Sequence, residues 1–109
     1  MGTGKTKVVI DDLNKHIPMV EKVLVVSTRY SYADNIRSKL NQSDKLNIIQ
    51  IDSMGKFFDN PKVNIGKTYV VLDEYESILQ WMRFVNDIRL YLIVCNIFKY
   101  AYWVIVADA

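Results

Sequence analysis

Tyr69-Val70-Val71-Leu72-Asp73-Glu74 is an apolar run that closes on two acids. A continuous stretch of β-branched, aliphatic and aromatic residues reads as a strand buried on both faces, the kind found in parallel sheets. Three more runs have this character: Val23-Leu24-Val25-Val26, Ile48-Ile49-Gln50-Ile51 and Trp103-Val104-Ile105-Val106. Segments of helical period lie before and between them. Lys5 to Asn14 follows a glycine-rich turn. Tyr32 to Leu40 sets Ala33, Ile36 and Leu40 at helical spacing, with Ser31 and Asp34 arranged as a capping box. Glu74 to Val85 puts Ile78, Leu79, Met82 and Val85 on one stripe. Asn86 to Lys99 either continues that helix or begins another. Asn60-Pro61 and Ile65-Gly66-Lys67 mark a loop. Strands alternating with helices predict an α/β fold with a mainly parallel sheet sandwiched by helices.

With 109 residues, half of them hydrophobic, the chain holds one domain with one core. The net charge of +2 creates no strong basic field, so any nucleic-acid contact has to come from a local patch. Cys95 and His16 are the only cysteine and histidine, which rules out a disulfide framework or a Cys/His zinc site. Cys95 lies in an apolar run and reads as a buried, inert thiol. His16, two residues before Pro18, reads as solvated or capping. Leu90 to Val106 is short for a membrane span and is interrupted by Asn96 and Lys99. It is expected to be a buried helix followed by a buried strand. These features point to an intracellular chain with no membrane partner.

Gly2-Thr3-Gly4-Lys5-Thr6 ends in the G-K-[ST] of a phosphate-binding loop. Glycines let backbone N–H groups turn inward around phosphate oxygens, and the helix that follows directs its positive end at them. In such a loop Lys5 reaches the β- and γ-phosphates and the Thr6 hydroxyl holds Mg²⁺. Alone, the short pattern also fits a solvated N-terminus. The acids have two readings as well. Asp73, at a strand's C-terminal end, is placed to hold Mg²⁺, and Glu74 to orient and deprotonate a water. Alternatively, both favour the next helix through its dipole. A G-K-T followed, two strand runs later, by apolar residues and D-E is far more specific than either part, and predicts a site for ATP with Mg²⁺.

The order of segments resembles the first motor domain of the superfamily-two helicases. Met1 to Thr6 looks like its first motif, and Val23 to Ala33 (VLVVSTRYSYA) like the next. Ile48 to Phe57 (IIQIDSMGKF) resembles a Q-x-D-S segment, Val70 to Leu79 (VVLDEYESIL) the acidic motif, and Val104 to Ala109 (VIVADA) the coupling motif. The D-E-x-E-S-I-L wording is most similar to the replication origin-binding helicases of herpesviruses and their relatives in other large DNA viruses. The resemblance spans essentially the whole chain.

It implies a RecA-like P-loop NTPase domain over residues 1–109, lacking its first strand. Gly2, Thr3, Gly4, Lys5 and Thr6 would bind ATP, Thr6 and Asp73 would serve Mg²⁺, and Lys5 and Glu74 would serve hydrolysis. Ser27, Thr28, Arg29 and Ser53 would lie along a DNA track. Glu76 and Asp108 would couple nucleotide state to domain movement, although relatives often have histidine or aspartate at the position of Glu76. On the residues alone, Arg29 is equally readable as an ordinary surface charge. The resemblance further implies a piece of a longer protein in which a second motor domain supplies arginines worth ~10³–10⁵ in rate. On that basis this chain by itself is expected to hydrolyse ATP slowly and unwind nothing. A non-catalytic, truncated nucleotide- or partner-binding module is the main alternative. An ATPase or kinase without a DNA role is the weaker one.

Overall fold

A computed structural model describes residues 3–27, 30–73, 75–86 and 88–107; of residues 3–6, 30–32 and 107 it describes the backbone. The strands are β1 (Lys22–Val26), β2 (Leu46–Ile49), β3 (Thr68–Asp73) and β4 (Trp103–Ala107). The helices are α1 (Thr3–His16), α2 (Tyr30–Lys39), α3 (Met54–Asp59), α4 (Tyr75–Val85) and α5 (Ile88–Tyr100). The described residues form one four-stranded sheet in the order β2-β1-β3-β4, with every pairing parallel. The expected α/β architecture with helices on both faces is therefore present.

Period-two alternation divides the strands between two cores. Val23, Val25, Tyr69 and Val71 face α1 and α2, where Val9, Ile10, Leu13, Ile36 and Leu40 are buried against them. Leu24, Val26, Val70 and Leu72 face α3, α4 and α5, which contribute Met54, Ile78, Met82, Leu90, Val94 and Ile97. β3 is buried at all six positions, as its unbroken apolar run predicts. Each fully buried Leu or Ile contributes roughly 1.5–3 kcal/mol.

Chain direction and helix side are linked. The step from β1 to β2 goes one way along the sheet through α2. The steps from β2 to β3 and from β3 to β4 go the other way, through α3 and through α4 with α5. Right-handed crossovers require opposite steps to use opposite faces, and they do. The connections leaving the neighbouring strands β1 and β3 thus diverge to opposite faces.

Several local expectations are corrected. β2 spans Leu46–Ile49 and not 48–51. Its partner β1 ends opposite Ile49, and the chain then turns through a 3-10 segment, Ile51–Ser53, that buries Ile51. α2 begins at Tyr30, so Ser31 lies inside the first turn and is no N-cap. α4 and α5 are separate helices. Asn86 has φ 51°, a left-handed conformation that ends α4, and its N–H still bonds the Met82 carbonyl at 2.9 Å.

Cys95 is exposed and not buried. α5 turns Leu90, Val94 and Ile97 inward, and the residue after Val94 lies about 100° further round the helix. That outer face also carries Leu92 and Phe98, both exposed. β4 is only partly buried, because among the described residues it pairs on one side, with β3.

His16 is half-buried, and although it stands at the N-cap of the 3-10 turn Ile17–Met19 its side chain makes no capping hydrogen bond. The end of α1 lies over the starts of β3 and β4, whose aromatic residues enclose the ring. It stacks on Trp103 with centroids 5.1 Å apart, and its Nδ1 is 3.1 Å from the Tyr102 hydroxyl. No helix among the described residues is long and apolar enough to cross a membrane.

Candidate functional site

In open parallel sheets, ligands bind beyond the C-terminal strand ends where neighbouring connections diverge to opposite faces. Here that point lies between β1 and β3. β1 and β3 run in register, Val26 beside Leu72, so the next residues, Ser27 and Asp73, emerge side by side. The Ser27 hydroxyl donates to Asp73 Oδ2 at 2.6 Å, and both residues are buried. The Ser27 N–H donates to the Ile49 carbonyl at 3.0 Å, which extends the β1–β2 ladder by one bond.

A small crevice of about 90 Å³ opens beside this pair, lined by Val26, Ser27, Ile51, Asp73, Ile78 and Trp81 among others. Its walls are mostly apolar, with Ser27, Asp73 and Ser77 as the small polar residues among them. The strand pattern flags Asp73 but gives no signal that Ser27 would join it. Trp81 goes unnoticed because on α4 it falls outside the inward stripe of Ile78 and Met82.

The direction of α1 decides what else meets this end of the sheet. Asp12, late in α1, accepts a hydrogen bond from Tyr69, near the start of β3, and His16 stacks on Trp103, the first residue of β4. α1 also ends one short turn before β1 begins and packs on the sheet through Val9, Ile10 and Leu13, so it runs back from the strand starts towards their ends. From Asp12 back to Thr3 the helix rises about 13 Å at 1.5 Å per residue. From Tyr69 forward to Asp73 the strand rises about 13 Å at 3.3 Å per residue. The start of α1, with Thr3, Gly4, Lys5 and Thr6 in its first turn, is thus directed towards the end of the sheet that carries Asp73.

Ser53 belongs to this end too. It follows β2 and precedes α3, half-buried, with its N–H on the Gln50 carbonyl at 3.0 Å. Glu76 lies in the first turn of α4 and is exposed. Gly2, Thr28, Arg29, Glu74 and Asp108 lie outside the described residues. Ser27, expected along the DNA track with Thr28 and Arg29, is buried, and its hydroxyl donates to Asp73.

Among the described residues no three His, Cys, Asp or Glu side chains gather to hold a metal by themselves. Mg²⁺ takes one or two carboxylates and fills its remaining positions with water and phosphate oxygens. Asp73 offers one buried carboxylate at this end of the sheet. No protein-family model, curated protein or solved structure matches the chain.

Proposed function

We propose that the chain is the ATP-binding, ATP-hydrolysing motor domain of a DNA helicase, of the RecA-like P-loop kind and similar to the replication origin-binding helicases. The reading is supported by two sequence-distant features directed towards one end of the sheet. They are the first turn of α1, containing Gly4-Lys5-Thr6, and the Asp73 carboxylate at the strand divergence. A helix start presents unpaired N–H groups and the positive end of its dipole to phosphates, and a carboxylate at the same end of the sheet complements their cation.

In this reading Gly2, Thr3 and Gly4 supply backbone N–H groups to the phosphates, and Lys5 neutralises the outer ones. Thr6 and Asp73 hold Mg²⁺, and Glu74 takes a proton from the attacking water. When bound, Mg²⁺ neutralises charge developing on the phosphate oxygens. Thr28, Arg29 and Ser53 contact nucleic-acid phosphates, which positions the strand without reading its sequence. Glu76 and Asp108 pass nucleotide state to the neighbouring domain of the motor.

Calorimetric titration of Mg²⁺-ATP tests the reading. Binding by the wild type that is lost in Lys5→Ala and weakened in Asp73→Asn is the expected result. A folded wild type that binds no Mg²⁺-ATP overturns it and leaves a non-catalytic module. Arg29→Ala should then lower affinity for single-stranded DNA without altering nucleotide binding.

A further inference from the structure

The contact between Ser27 and Asp73 is built with more constraint than packing needs. Asp73 is 2% exposed and Ser27 7%. A hydroxyl and a carboxylate buried this far each lose hydration, and that loss is offset only if they bond well. An alanine or valine ending β1 would fill the same strand position without that cost. The Ser27 backbone is also held, through its N–H on the Ile49 carbonyl, so the hydroxyl is anchored to β2 as well as β1. It has one hydrogen to give, and directs it to Oδ2 at 2.6 Å. A bond of that length to a charged oxygen is strong, and it restricts the broad terminal torsion of an aspartate to one orientation.

We propose that Ser27 is a positioning residue for Asp73, aiming its carboxylate at the divalent cation of a bound nucleoside triphosphate. This rests on the nucleotide reading above. Groups that orient a metal-binding side chain typically change metal affinity by ~10–100-fold when removed. Ser27 contacts neither nucleotide nor nucleic acid in this scheme.

The test is a Mg²⁺ titration of a fluorescent, non-hydrolysable ATP analogue bound to the 109-residue chain. It compares wild type, Ser27→Ala, Ser27→Cys and Ser27→Thr, with a parallel nucleotide titration in EDTA and circular dichroism to establish folding. In Ser27→Ala the Mg²⁺ concentration at half-maximal response is expected to rise by about tenfold or more. Binding in EDTA should stay unchanged, and Ser27→Thr, which restores a hydroxyl, should return the Mg²⁺ response towards wild type. Ser27→Cys, a weak donor of similar shape, provides the same comparison if Ser27→Ala does not fold. An unchanged Mg²⁺ response in the folded donor-deficient variant overturns the positioning role and leaves the nucleotide reading intact. Equal losses with and without Mg²⁺, not rescued by Ser27→Thr, make Ser27 merely structural. A wild type that binds no nucleotide under either condition overturns both.

Discussion

The Tyr69 phenol donates a hydrogen bond to the Asp12 carboxylate, joining the start of the central strand β3 to the last turns of α1. The Tyr69 ring is fully buried, so its hydroxyl needs that acceptor. Tyr69→Phe removes the donor with little change in shape. Hydrogen bonds to charged groups contribute roughly 1.5–3 kcal/mol, and urea denaturation should show a loss of that order. Asp12→Asn keeps an acceptor oxygen and should lose less. An unchanged midpoint in Tyr69→Phe would show that water replaces the contact.

Lys45 performs a second tethering task. Its Nζ donates to the Ile17 carbonyl at 2.9 Å and the Val20 carbonyl at 2.8 Å, which lie in the turn between α1 and β1. The Ile17 carbonyl also accepts from the Val20 N–H at 3.4 Å, so Lys45 adds a second bond there. Lys45→Met keeps much of the stem and removes both bonds. The expected cost is about 1–3 kcal/mol in the same denaturation measurement. A loss below a few tenths would assign the carbonyls to solvent.

The α4–α5 break depends on a left-handed backbone at Asn86. Asparagine tolerates this conformation and glycine adopts it freely, whereas a β-branched residue resists it. Asn86→Gly should leave stability nearly unchanged. Asn86→Val should cost about 1–2 kcal/mol. Equal thermal midpoints for the two variants would contradict the assigned geometry.

The outer side of β4 invites a prediction about association. Trp103 and Val106 are 46% and 41% exposed, and no charged residue or proline interrupts Trp103–Ala107. Natural edge strands use such residues to prevent edge-to-edge pairing. Sedimentation velocity should show the wild type associating as concentration rises. Val106→Lys should shift it towards monomer while preserving the circular dichroism spectrum. A wild type that stays monomeric throughout would mean this edge is protected by other means.

The strands were legible because burial on both faces leaves a run of apolar residues that helices of this size rarely show. Val23–Val26, Tyr69–Leu72 and Trp103–Val106 all lie inside observed strands. The Ile48–Ile51 run misled, since hydrophobicity does not distinguish a strand from the buried 3-10 turn that follows it, and Ile51 serves the turn. α3 carried no cue because six residues are too few to display a period. Asp73 could be selected by its place at the end of an apolar run. Its partner could not, since the pairing of Ser27 with Asp73 follows from the register of β1 on β3, a tertiary fact. The environments of His16 and Cys95 were misjudged for the same reason: each depends on which side of its helix meets the sheet.

The outward thiol of Cys95 makes the protein a ready-made reporter. As the only cysteine in the chain, it lets a maleimide dye couple at one defined point without mutagenesis. That point lies on α5, next in sequence to α4, whose Ile78 and Trp81 line the crevice beside Asp73. Any movement of this helical layer over the sheet can therefore be followed by emission from the native sequence. The same thiol dictates handling: in air-oxidised buffer, two chains can join covalently through it, so reductant must be present whenever molecular mass is measured.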